Sequence, residues 1–150
     1  AAAFDDSDAQ AVAKHAANYG AAFKSGNFQK VLKARPPKML DYIAGLYDMK
    51  RGEMIRDTAA QTKALMAEVT VHSVNFNTDA LTSGDTALGA YAFVPTTTVM
   101  SAPGKGKKSL DSQTLVMEDG GKWYVVPIET AQIYDLVKQV YPEFNSVPLP

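Results

Sequence analysis

The stretch SLDSQTLVMEDGGKWYVVPI, residues 109–128, decides the fold class of this chain. Residues 122–128 are rich in β-branched and aromatic residues, as β-strands are, and residues 109–117 are interpreted as the strand that precedes them. Between them, EDGG is typical of a tight turn, because consecutive glycines adopt the positive φ angles that a two-residue hairpin needs. The stretch therefore predicts an antiparallel hairpin near the end of the chain.

Two further strands are predicted upstream of this hairpin. VTVHSVNFN (69–77) and TALGAYAFV (86–94) alternate along the chain with period two. Asp79 and the tripeptide SGD (83–85) are interpreted as turn signals between these strands. The second half of the chain is thus expected to form an antiparallel sheet.

The first half of the chain has helical periodicity instead. Ser7 and Gln10 fit a capping box, which predicts the start of a first helix. Its apolar stripe consists of Val12, Ala16, Tyr19 and Phe23. SGN (25–27) predicts its end, since Gly and Asn tolerate the left-handed conformation of a helix terminus.

More helices are predicted on either side of the sheet sequence. RPPKMLDYIAG (35–45) places Pro37 in the first turn of a short helix, where its missing N–H costs nothing. A third long helix is expected over 51–68 and a last one over 130–141, followed by an irregular proline-rich tail. The buried side of the 51–68 helix is expected to carry Ile55, Thr58, Thr62, Leu65, Met66 and Val69.

Helices followed by antiparallel strands indicate an α+β domain, with the helices covering one face of a curved sheet. We expect one domain over residues 1–150, with a core at about 8–128 and a C-terminal helical extension at 130–150. The concave side of such a sheet must be filled by helix side chains or by a ligand.

Composition excludes several functional classes. The net charge of −1 disfavours nucleic acid as a partner, and no apolar run is long enough to predict a membrane span. There is no cysteine, and the two histidines have no metal-binding spacing, so we expect neither a metal nor a cofactor. The small residues AAAF at the start are typical of a mature chain after signal-peptide cleavage, which predicts a periplasmic or secreted location.

This order of elements resembles the nuclear transport factor 2-like (NTF2-like) superfamily, in particular a group of bacterial exported members. The resemblance rests on FKSGNFQKVLKARPPKMLDYIAG, the helix beginning GEMI, AYAFVPTTTVM and EDGGKWYVVP, and covers about residues 8–128. It implies a cone-shaped fold, with a bent sheet wrapped around the N-terminal helix. Residues 46–51 and 130–150 depart from the superfamily pattern at positions where they could cover the mouth of the cone.

Three residues are candidates for acid–base chemistry. His72 lies mid-strand, and an imidazole can exchange a proton near neutral pH. Asp41 and Asp111 are the candidate carboxylates, because the superfamily contains isomerases and dehydratases that place such groups inside the cone. An ordinary structural or solvent-facing role is the alternative for each of the three.

Four aromatic residues are candidates for a ligand-binding pocket. Tyr42 and Tyr91 carry hydroxyls that need a partner when buried, and Tyr19 and Trp123 could add apolar walls. The same side chains could equally form ordinary core.

The sequence leads to three functional hypotheses. The first is a non-enzymatic domain that binds a small apolar ligand or a protein partner through its cone or sheet face. The second is a small lyase or isomerase that uses acid–base residues in the cone. The third is an interaction protein with a filled cone, which forms a homodimer through the outer surface of its sheet.

Overall fold

The computed structural model describes residues 4–150, and it folds these residues into helices that flank one antiparallel sheet. The helices are α1 (Asp6–Ser25), α2 (Phe28–Lys33), α3 (Pro37–Leu46), α4 (Arg51–Leu65) and α5 (Ala131–Val140), with short 3-10 turns at Thr78–Ala80 and Pro142–Phe144. The strands are β1 (Thr70–Phe76), β2 (Thr82–Thr86), β3 (Gly89–Ala102), β4 (Gly106–Asp119) and β5 (Lys122–Ile128). The small residues expected after signal-peptide cleavage include residues 1–3, which lie outside the described residues.

The sheet is built around the long strand β3. The strand order is β1-β3-β4-β5, and β2 also pairs with β3. β2 lies beside the first part of β3 and β1 beside the second part, so both occupy the same side of one strand. The sheet is curled, with four helices before it and one after it, which confirms the predicted α+β class and the extra C-terminal helix.

The hairpin that decides the fold is formed as predicted. Asp119 pairs with Lys122, and the two glycines between them have φ angles of 62° and 79°. Residues with a side chain rarely adopt such angles, so Gly120 and Gly121 fix the reversal of the chain at this point.

Both faces of the sheet are buried where the first part of β3, the last part of β4 and β5 lie side by side. The first, here called the α1 face, packs against α1 and presents Ala92, Val94, Val116 and Val125. The second, the α5 face, packs against α5 and the residues that follow it, and it presents Tyr91, Phe93, Leu115, Met117, Val126 and Ile128. Residues 90–94 of β3, 115–117 of β4 and 125–128 of β5 are therefore apolar at every position, because side chains on both faces are removed from water there.

The start of α1 differs from the prediction. Asp5, and not Ser7, is the N-cap: its carboxylate accepts the Asp8 N–H at 2.9 Å, and the Asp8 carboxylate accepts the Asp5 N–H at 3.0 Å. The segment DDSD offers several capping side chains, and an acidic pair also interacts favourably with the helix dipole. The predicted end is confirmed, because Gly26 adopts the left-handed conformation with φ 78°.

Two other predictions are wrong, and the strand predicted over 86–94 begins too early, because residues 87–88 form the turn between β2 and β3. The tripeptide SGD (83–85) is not a turn but lies inside β2, where it pairs with residues 90–92 of β3. Leu65 is not buried, since 82% of it is exposed at the end of α4. In both cases local composition predicted one structure, whereas pairing or packing with distant residues produced another.

The helices that the structure describes, within residues 4–150, include none with the length and apolar character needed to cross a bilayer.

Candidate functional site

The interior of the fold is filled by the chain's own aromatic residues. Tyr91 and Phe93 lie on the α5 face, where Tyr91 packs edge-to-face on Phe144 at 5.4 Å and Phe93 on Tyr134 at 5.6 Å between ring centroids. Tyr91 is only 9% exposed, and burial raises the pKa of its hydroxyl. This candidate pocket residue therefore lies in packed core beneath the C-terminal extension.

The C-terminal extension is held over this core by hydrogen bonds. The Tyr134 hydroxyl donates to the carbonyl of Val147 at 2.6 Å, and the Tyr141 hydroxyl donates to the carboxylate of Asp119 at 2.7 Å. Tyr42, another candidate, accepts a 2.6 Å hydrogen bond from Gln139 and so links α3 to α5. Residues 130–150 thus cover the α5 face, whereas Leu46 and Tyr47 of the 46–51 segment remain exposed.

The three candidate acid–base residues lie apart from one another. Asp41 on α3 forms a bidentate pair with Arg51, and this hydrogen bonding lowers the pKa of the Asp41 carboxyl. His72 lies at an irregularity of β1, with its Nε2 atom 2.7 Å from the Ser101 hydroxyl. Across residues 4–150, no hydrogen bond joins any two of the three.

Asp111, the third of these residues, lies on a different strand from His72. It is exposed on β4 and accepts a hydrogen bond from Thr97 at 2.8 Å. The structure therefore brings no pair of acid–base candidates together around a common substrate position, which general acid–base catalysis with two groups requires.

A groove of about 500 Å³ runs between α1 and β1. Its helix wall carries Ala13, Ala17 and Ala21, which are exposed, and its strand wall carries Val74 and Phe76, which are half-buried. The helix approaches the strand closely at Gly20, where an added Cβ would lie 2.8 Å from the Phe76 ring. We call this feature the β1 groove.

The outer edge of β1 carries unpaired backbone groups. The Asn77 N–H donates to the Pro95 carbonyl at 2.8 Å, and in an antiparallel ladder only alternate residues point toward the neighbouring strand. The N–H and C=O groups of Val74 and Phe76 therefore point away from β3, into solvent beside α1. Within residues 4–150, no hydrogen bond takes up these four groups.

The sequence carries two patterns that bear on the β1 groove. Small residues recur every four positions on α1, at 13, 17 and 21, on a side adjacent to its core-facing stripe. β1 itself contains no Lys, Arg, Asp, Glu or Pro, although edge strands are usually protected by charged residues or proline. Neither pattern identifies β1 as an edge strand, so only the structure shows that the alanines of α1 lie beside an open strand edge.

Tyr19 and Trp123, the two remaining candidates, meet in a second cleft. This cleft has a volume of about 260 Å³ and lies between α1, α2 and β5, and Lys30 and Lys33 also line it. Burial raises the pKa of the Tyr19 hydroxyl, which therefore stays protonated at neutral pH. We call this feature the β5 cleft.

Comparison with protein-family models, with curated proteins and with solved structures gives no significant match to this chain.

Proposed function

We propose that this chain is an NTF2-like domain that acts as a non-enzymatic interaction module, and that it binds an extended segment of a partner protein along β1. Two observations support the superfamily assignment: the order of elements, with helices first and a curled antiparallel sheet after them, and the motifs named above. The exported location, periplasmic or secreted, stays a prediction.

The filled interior favours the interaction hypothesis over a ligand inside the cone. Both faces of the sheet pack against the chain's own side chains, including Phe93 and Leu115 on one face and Val94 and Val116 on the other. A small apolar ligand on either face would have to displace packed residues, and each large residue displaced from a core costs several kcal/mol, on the order of 3–5 for Phe.

The observation that carries the proposal is the open edge of β1. An extended segment placed beside β1 would pair with the backbone of Val74 and Phe76, which adds one strand to the sheet. Backbone pairing of this kind provides affinity with little dependence on sequence, and side-chain pockets then provide specificity.

The walls of the β1 groove define the chemistry of the bound segment. Alternate side chains of an added strand would lie against Phe76 and beneath the methyl groups of Ala13 and Ala17, where apolar side chains fit. Lys24 lies at one end of the groove and forms no ion pair within residues 4–150. The expected segment therefore alternates apolar residues and has an acidic residue toward Lys24.

Selection of displayed random peptides on the purified chain tests this proposal. Peptides with alternating apolar residues should be enriched, and binding should protect the amide hydrogens of Val74 and Phe76 from exchange. Ala17→Lys should reduce binding at least tenfold, because it places a long charged side chain in the groove, whereas Ala64→Lys on the exposed surface of α4 should leave binding unchanged. Val74→Pro removes an outward N–H without removing a bond to β3, and it should also abolish binding.

Two outcomes would contradict the proposal. The first is that selected peptides bind Ala17→Lys and Val74→Pro as well as they bind the original chain. The second is that the chain alone forms a dimer by light scattering and Ala17→Lys makes it monomeric, which would assign the groove to a second copy.

A further inference from the structure

The β5 cleft has a different character from the β1 groove and lies at the opposite edge of the sheet. Trp123 and Tyr19 provide aromatic surface from β5 and α1, and Val125 adds an apolar contact. Aromatic side chains at the wall of a cleft offer a flat surface on which a planar apolar group can stack. This composition points to a ligand with a ring or similar planar body.

The charged groups around the β5 cleft are mainly cationic. Lys30 and Lys33 line it, and no acidic residue does. Within residues 4–150, neither lysine forms an ion pair. Arg35 and Glu129 are close enough to affect the pKa of Tyr19, the first lowering it and the second raising it, so the two largely oppose each other. The two lysines therefore leave an excess of positive charge at the cleft.

The strand edge adds a backbone donor to these two lysines. The Val125 N–H points outward from β5 and donates to the Ala34 carbonyl at 2.8 Å. Trp123 lies two residues earlier and so points its N–H toward the same edge, and no group of residues 4–150 accepts it. Pro127 faces the same edge of the sheet and, as a proline, has no backbone N–H. An outward N–H beside two ammonium groups is a suitable set of donors for an anion.

His15 lies at the α1 side of the cleft. Burial and the neighbouring Lys14 lower the pKa of its imidazole, so it is neutral at pH 7 and can both donate and accept a hydrogen bond. Asn18 lies beside it with the same capacity. These two groups suit a polar substituent on the ligand and do not cancel the positive charge of the lysines.

We propose that the β5 cleft is a binding site for a small molecule that has a planar apolar body and one anionic group, a carboxylate or a phosphate. The anionic group lies between Lys30, Lys33 and the Trp123 N–H, and the planar body lies against the Trp123 and Tyr19 rings. The volume of about 260 Å³ limits the ligand to roughly the size of one substituted ring. This site is separate from the β1 groove and does not depend on the proposed interaction function.

Trp123 makes the test direct, because it is the single tryptophan of the chain. Its fluorescence reports on the cleft without a label. Titration with phenyl phosphate should change the emission of Trp123 in a saturable way, and benzoate should do the same. Benzyl alcohol has a similar ring and no charge, and it should bind at least tenfold more weakly. Raising the salt concentration should weaken the binding of phenyl phosphate.

Variants of the two lysines complete the test. The double variant Lys30→Gln, Lys33→Gln should weaken phenyl phosphate about tenfold, since it removes both charge-assisted contacts while keeping the length of the side chains. Lys107→Gln, at the distant β3–β4 turn, should have no effect, and neither should Ala17→Lys in the β1 groove. The proposal is overturned if phenyl phosphate and benzyl alcohol bind equally, if the double variant binds phenyl phosphate unchanged, or if no saturable change occurs up to millimolar concentrations.

Discussion

The two faces of the sheet are filled in different ways. On the α1 face, the small and β-branched residues Ala92 and Val94 share a cluster with Ala16, and the helix approaches β1 closely at Gly20. On the α5 face, large residues such as Tyr91 and Phe93 meet other aromatic rings of the C-terminal extension. The helix that covers the α1 face comes from the start of the chain, whereas the α5 face is covered by its last residues.

This difference shows what the C-terminal extension contributes. Without residues 130–150, the rings of Tyr91 and Phe93 would form an open apolar surface on the α5 face. With the extension in place, that surface is core. Binding capacity is thereby left to the edges of the sheet, at the β1 groove and the β5 cleft.

Removal of one large ring that packs on the α5 face should have the largest effect on stability. Phe144 is 1% exposed and packs on Tyr91, so Phe144→Ala should lower the free energy of unfolding by about 3–5 kcal/mol. Val12→Ala on the α1 face should cost about 2 kcal/mol, because fewer buried methyl groups are lost. Urea denaturation measures both variants. A smaller loss for Phe144→Ala than for Val12→Ala would show that the extension is only loosely packed.

Replacement of one glycine by alanine on each face tests whether the two faces tolerate an added methyl group differently. A Cβ at Gly84 would lie 2.6 Å from the Tyr91 hydroxyl, and the Tyr91 ring is held between Phe93 and Phe144. Gly84→Ala should therefore destabilise the fold by about 1–3 kcal/mol.

The matched substitution on the α1 face is Gly20→Ala. Its Cβ would meet the Phe76 ring at 2.8 Å, but this contact is with the far end of a partly buried side chain, and alanine favours the helix by about 1 kcal/mol. We therefore expect Gly20→Ala to leave the midpoint temperature of thermal unfolding nearly unchanged. Equal destabilisation by Gly84→Ala and Gly20→Ala would contradict the difference between the faces.

The ionisation of a buried tyrosine packed on the α5 face should make the stability of the fold depend on pH. Burial raises the pKa of Tyr134 to about 12, compared with about 10 in an unfolded chain. The unfolded state therefore loses its proton first, and the stability that the buried phenol contributes is complete below pH 10 and is lost as pH rises toward 12.

Tyr134→Phe tests this pH dependence. The variant should be about 1 kcal/mol less stable at pH 7, since the hydrogen bond to the Val147 carbonyl is lost. Its stability should then fall less steeply than that of the original chain between pH 10 and pH 12. Parallel curves of unfolding free energy against pH would show that Tyr134 is not the group responsible. Some decline should remain, because burial also raises the pKa of Tyr141.

Much of the fold could be predicted from sequence, and the failures have a common cause. Period-two alternation located β1, the EDGG turn between two strand segments located β4 and β5, and period 3.6 located α1 and α4. SGD was misread because serine, glycine and aspartate are common in turns, whereas at residues 83–85 they pair with β3, and Gly84 leaves room for the Tyr91 ring. A preference read from composition is overridden where a distant strand supplies the hydrogen bonds.

The candidate sites were less predictable than the fold. Tyr19 and Trp123 were named as aromatic candidates, but their meeting beside Lys30 depends on how α1, α2 and β5 pack. From the sequence, Val74 and Phe76 can be recognised only as members of an alternating strand. Their outward backbone groups become significant once β1 is known to be the last strand on its side of the sheet.

The sequence by itself determined the features that a few neighbouring residues control. Gly120 and Gly121 set the hairpin, Gly26 ends α1 and Pro37 begins α3, because each restricts φ or permits a positive φ at its own position. The tertiary structure alone decided which strand edge stays open, which face the C-terminal residues cover and which aromatic side chains remain accessible. These features depend on burial and hydrogen bonding between residues far apart in the chain, and local patterns do not encode those pairings.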